Sequence, residues 1–191
     1  MAVLIIGLIL FLGVHSIRIF AESWRTQQIE RLGKGKWMSR YALVSLLGFV
    51  LIVIGFGQAR EEGVMIWTPP IWTWHITITL MLVAFIFITA AYVPHNAVKA
   101  KLKDPMILGV KTWALAHLIS NGSLAGMVLF GSFLVWAVLN FSACKRRRAT
   151  EQAPALTSSA KMTVVTLLVG VVTWALMAMV IHKYLIGIAP L

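Results

Sequence analysis

Cysteine and acidic side chains are nearly missing from this chain, and each shortage closes off some chemistry. The single cysteine, Cys144, excludes an intrachain disulfide and any multi-cysteine zinc or iron–sulfur site. The acidic residues are only six: Glu22, Glu30, Glu61, Glu62, Asp104 and Glu151. All of them lie outside the long apolar runs. Proton-coupled transport usually relies on buried carboxylates, so a pump or symporter is disfavoured, as is a carboxylate-rich metal site. There is no phosphate-binding loop and no GxSxG motif. Charged residues reach 12% of the 191 residues, about half the usual share of a soluble domain.

Apolar residues fill that gap, at 60% of the chain. A water-soluble protein of this length has no interior large enough to hide them, whereas a bilayer accepts them. A helix crosses the hydrocarbon core with about 20 mostly apolar residues. Runs of that kind lie at 2–20, 41–57, 74–93 and 162–182. The tract 105–143 is too long for one crossing and contains Asn121-Gly122, a turn signal. It divides into 105–120 and 123–143, the first of them short. The expected fold is therefore all-α: a polytopic transmembrane helical bundle of about six spans, forming a single membrane domain over 1–191.

The net charge of +11 does not point to nucleic acid, because the basic residues sit in short connections rather than on a soluble face. Anionic membrane lipids are their natural partners. Arg18, Arg25, Arg31, Lys34, Lys36 and Arg40 flank the first connection. Lys99, Lys101 and Lys103 occupy the third, and Lys145, Arg146, Arg147, Arg148 and Lys161 the fifth. The second has Arg60 alone, and the Asn-Gly turn has no basic residue. The positive-inside rule then places the odd connections in the cytoplasm and both termini outside. Trp67, Trp72 and Trp74 read as an aromatic belt. The stretch Ala21–Arg40 mixes charge with apolar residues, as an interfacial helix does. The stretch Arg148–Lys161 reads as a flexible loop. The N-terminal run lacks the preceding charge and the cleavage site of a signal peptide, so it is expected to be a retained span.

Histidine is the remaining chemical resource. His75, His95 and His182 fall near span ends, at headgroup level. His15 and His117 fall inside the first and fourth spans, where a polar ring requires a partner. Counted at about 1.5 Å per residue, the two lie at levels within about 8 Å of each other. Two neutral imidazoles from different helices can ligate one haem iron axially. Arg18, one turn from His15, and Lys111, in the fourth span, are candidate cations for the propionates. Trp113 and Asn121 flank His117 and complete the candidate cofactor-binding set. The competing structural explanation is an interhelical or local hydrogen bond, through Ser16, Asn121 or a backbone carbonyl.

The run Pro105-Met-Ile-Leu-Gly-Val-Lys-Thr-Trp-Ala-Leu-Ala-His-Leu-Ile-Ser-Asn-Gly122 resembles the NnrU family of bacterial inner-membrane proteins. So do His15-Ser16-x-Arg18 and the closing stretch Tyr184–Pro190. That family is named for a link to nitrite and nitric oxide reductase expression in denitrification. It is also similar to 15-cis-zeta-carotene isomerase, a membrane haem b enzyme whose haem histidines match His15 and His117. The resemblance implies haem b held between the first and fourth spans, serving nitric oxide metabolism or isomerase-like redox chemistry on an apolar small molecule. Many relatives carry His-Pro where this chain has Asp104-Pro105, so no role for that histidine transfers. Cys144 does not match the isomerase's proposed alternative ligand. The alternative reading is a non-catalytic membrane factor that helps assemble or regulate a respiratory reductase, its partner protein. A small-molecule transporter is the third reading, weakened by the missing buried acids and the lack of internal repeats.

Overall fold

The computed structural model describes residues 1–150 and 157–190. Helices run α1 (Ala2–Phe20), α2 (Glu22–Leu32), α3 (Lys34–Glu61), α4 (Trp72–Tyr92), α5 (Ala97–Leu102), α6 (Pro105–Ser120), α7 (Leu124–Thr150) and α8 (Ala160–Leu176). A π-helical turn, Met177–Ile181, then leads into α9 (His182–Ile186). No named strand occurs among the described residues; a single antiparallel bridge joins Met65 and Ser123. Five stretches are long and apolar enough to cross a membrane: Ala2–Phe20, Lys34–Glu61, Trp72–Tyr92, Leu124–Thr150 and Ala160–Ile186. The protein is thus a multi-pass membrane protein. The sixth expected span, α6, has 16 residues and reaches only about 24 Å, short of a hydrocarbon core of about 30 Å.

Several helices outrun the apolar runs, because charged residues at the membrane surface continue a helix without penalty. α3 begins at Lys34 rather than at 41. α7 carries the basic run to Thr150, so Arg148–Thr150 is helical rather than part of a loop. The rest of that expected loop, 151–156, lies outside the described residues. The stretch 21–40 is not one interfacial helix: α2 ends at Gly33, whose φ is +79°, and Lys34–Arg40 opens α3. A left-handed φ of that kind suits glycine, which has no Cβ to clash.

The chain forms two compact units, 1–68 with 121–143, and 69–120 with 144–191. In the first, α1 and α3 are an antiparallel pair in backbone contact. A Cβ on Gly7 would lie 2.6 Å from Ile52 N, and one on Gly48 would lie 2.7 Å from Phe11 N. Gly55 abuts Leu4 in the same way. Lipid-embedded helices gain little from apolar burial, so close van der Waals approach at small residues is what holds such a pair. α7 joins through Phe133 on Phe11 and Phe130 on Phe56, with ring centroids 5.8 and 6.2 Å apart. It runs parallel to α1. α2 folds back on α3, with Trp24 edge-on to Trp37 at 5.6 Å. Arg18, α2 and Lys34–Arg40 therefore gather at one end of this unit. The bond from Leu124 N to Val64 O marks the other end.

In the second unit α4 packs antiparallel to α6. Gly109 sits on Ala84 and Ile88, and Thr77 Oγ1 donates to Ala116 O at 2.9 Å. α8 lies against the other side of α4, with Gly170 on Ile86. The basic end of this unit is a firm corner. Asn96 is buried; its amide donates to Ala90 O and Val93 O at 2.9 and 2.6 Å, and its oxygen accepts from Lys99 N. Lys99 Nζ caps α4 by donating to Ala91 O. Arg148 pairs with Asp104. At the opposite end Trp74 Nε1 donates to Pro190 O, tying down the tail beyond α9.

Candidate functional site

His15 and His117 carry the same local device. Within the first unit, His15 Nδ1 donates to Phe11 O, four residues back, at 2.6 Å. The Phe11 ring lies on the imidazole at 4.2 Å and 30°. Within the second unit, His117 Nδ1 donates to Trp113 O at 2.9 Å, and the two rings are 5.5 Å apart. Helical side chains point back toward the preceding turn, so an imidazole in hydrocarbon can settle its N–H on a carbonyl of its own helix. A carbonyl only accepts, which puts the proton on Nδ1 and the lone pair on Nε2. An Nδ1–H anchored to a backbone carbonyl is also how metal-binding histidines are commonly oriented.

The surroundings of His15 are aromatic. Tyr41 of α3 meets it edge-on at 5.3 Å, and Trp136 of α7 at 6.1 Å and 87°. Phe11, Tyr41 and Trp136 come from three helices and fix the ring on three sides. None of the three is among the residues that sequence pattern nominates for the site. The available signal was an aromatic residue four positions before each intramembrane histidine; Tyr41 and Trp136 carried none.

The remaining expected site residues are more scattered. Arg18 is on the same side of α1 as His15, exposed, and 3.6 Å from Glu22. Lys111 is half-buried on α6, and six residues before His117 puts it about 120° away around the helix. Trp113 lies tilted against His117, with the ring planes at 52°. Asn121 plays a structural part, since its oxygen accepts from Ser123 N and Ser123 Oγ at 3.0 and 2.7 Å, closing the turn that starts α7. His182 Nδ1 donates to Ile188 O in the tail. His95, with φ of +52°, has Nδ1 3.1 Å from Thr157 Oγ1. His75 is exposed. No cluster of three or more His, Cys, Asp or Glu side chains suited to a metal ion occurs among the described residues.

A protein-family model described as NnrU protein matches residues 3–190. The chain belongs to the NnrU family. The match runs through both compact units and includes His15, His117 and the Asn-Gly turn. No curated protein and no solved structure matches this NnrU family member at a significant level.

Proposed function

We propose that this NnrU family protein binds haem b, which His15 and His117 would hold. The observation that carries this is the anchoring shared by the two histidines: each ring is held through Nδ1 by a carbonyl of its own helix, which leaves Nε2 as the nitrogen with the lone pair. The donor chemistry fits haem iron, for which neutral imidazole is a common axial ligand. Bound haem would supply one-electron redox chemistry and an iron centre for small ligands. The chain's own residues do the rest. Phe11, Tyr41 and Trp136 exclude water around His15 and hold its ring, and Trp113 does the same for His117. Arg18 and Lys111 would supply cations for the propionates.

In this proposal all of 1–191 acts as one NnrU domain in a bacterial inner membrane, with the basic connections in the cytoplasm. Its chemistry serves denitrification and nitric oxide metabolism, or an isomerase-like conversion of an apolar small molecule. The test is the absorption spectrum of protein purified after haem-replete expression. A Soret band in stoichiometric amount is expected; its absence overturns the proposal.

A second reading rests on α2. This short helix is polar on its outward side and is held at the basic end by the Trp24–Trp37 contact, as suits a docking element for a respiratory reductase. A non-catalytic assembly or regulatory factor would yield a stable partner on mild solubilisation. It would also keep its function in variants that lack His15 and His117.

A further inference from the structure

The first unit contains a long groove between α1 and α7, which shares Trp136 with the surroundings of His15. One part, a hollow of about 530 Å³, is walled by Leu12, Ser16, Val128, Ser132, Val135 and Trp136 among others. A second hollow of about 400 Å³ shares Leu12, Ser16, Val128 and Ser132, and extends along α1 past Leu8 to Ile5. From Ile5 to Ser16 the groove runs about 16 Å along the helix axis. It is apolar over most of that length. Its polar groups are Ser132, near mid-groove at the level of Phe11, and Ser16 and Trp136, at the end that leads to Arg18 and the basic α2–α3 segment.

Those polar groups are donors in need of acceptors. The hydroxyls of Ser16 and Ser132 make no hydrogen bond among the described residues. The indole Nε1 of Trp136 is buried and has no partner among them. An unpaired donor at membrane depth is costly. By contrast, Thr112, Ser120, Ser142 and Thr166 donate to the carbonyl four residues back. The floor is open at Gly131, where an added Cβ would meet nothing within 4 Å.

We propose that this groove is a binding site for an anionic phospholipid of the leaflet on the basic side. One acyl chain lies along Ile5, Leu8 and Leu12. The ester carbonyls accept from Ser16 and Ser132, and the phosphate faces the basic end of the unit. A phospholipid has this order of groups: chain, acceptor oxygens, negative charge. Its position matches too, because ester carbonyls sit just inside the headgroup layer and Ser16 is two residues from Arg18. The proposal does not depend on haem.

The test uses full-length protein reconstituted into nanodiscs of phosphatidylethanolamine and phosphatidylglycerol in equal amounts, re-extracted mildly and weighed by native mass spectrometry. One retained phospholipid per chain is expected, enriched in phosphatidylglycerol. Gly131→Leu fills the floor and should cut retention by about tenfold, while Ser132→Ala should cut it by about fivefold. Gly57→Leu adds the same bulk at another open site and should retain lipid like the unaltered chain; far-UV circular dichroism verifies folding of each variant. Equal retention in Gly131→Leu, Ser132→Ala and the unaltered chain overturns the proposal. So does recovery, from native membranes, of a neutral prenyl quinone in the phospholipid's place.

Discussion

His15 Nδ1 and the Phe11 carbonyl, one turn apart on α1, are held at 2.6 Å, and the Phe11 side chain stacks on the ring it anchors. The backbone thus sets the tautomer, and the side chain sets the ring plane. The anchor survives any substitution of Phe11, because it is a main-chain oxygen. Substitutions at His15 and at Phe11 therefore separate the ligand from its support.

His15→Ala and His117→Ala should each remove most of the Soret absorbance of the purified protein. Phe11→Leu should leave the band in place with a broadened or shifted maximum, since only the stacking is lost. A full, unaltered band in both histidine variants would refute the ligand assignment.

Close backbone packing of α1 on α3 should be the largest single contribution to the stability of the first unit. Gly7→Ala and Gly48→Ala place a methyl against backbone and should each cost about 1–3 kcal/mol. Gly13→Ala meets open space and should change stability by less than about 0.5 kcal/mol. Unfolding in a denaturing detergent titration measures both. Similar losses at Gly13 and Gly7 would contradict this packing.

Asn121→Ala should destabilise the protein by about 1 kcal/mol, the usual cost of losing a helix-start side-chain bond. It should leave the haem content of folded protein unchanged, because its oxygen is committed to Ser123. Loss of haem at normal stability would instead assign Asn121 to the cofactor.

The direction of insertion is open to a labelling experiment. In a Cys144→Ser background, Thr26→Cys on α2 should react with a membrane-impermeant maleimide only in inside-out vesicles. Val64→Cys, at the opposite end of the first unit, should react only in right-side-out cells. The reverse pattern would invert the orientation inferred from the basic connections.

Much of the architecture was legible from hydropathy. Ala2–Phe20 agrees with the expected run residue for residue, and Asn121-Gly122 does separate α6 from α7. Helix ends were less legible, because Lys34–Arg40 and Lys145–Thr150 are polar yet helical, and apolar runs report the hydrocarbon edge rather than the end of the hydrogen-bonded ladder. The candidate histidines were legible by depth alone. The hydrogen-bonding role of Asn121 was visible only as a turn signal, and it emerged as a side-chain bond to Ser123.

Composition and charge placement determine, without any coordinates, that the chain is an α-helical membrane protein. The cost of burying polar backbone in hydrocarbon leaves a chain with such apolar runs few other options, and local charge records its inferred orientation. Tertiary structure decided what surrounds each histidine. Tyr41 and Trp136 reach His15 from helices distant in sequence, and the donors of Ser16 and Ser132 share one groove because α1 and α7 run side by side. Such contacts depend on which helix faces meet, and in a chain apolar on nearly every face the amphipathic pattern that would reveal those faces is missing.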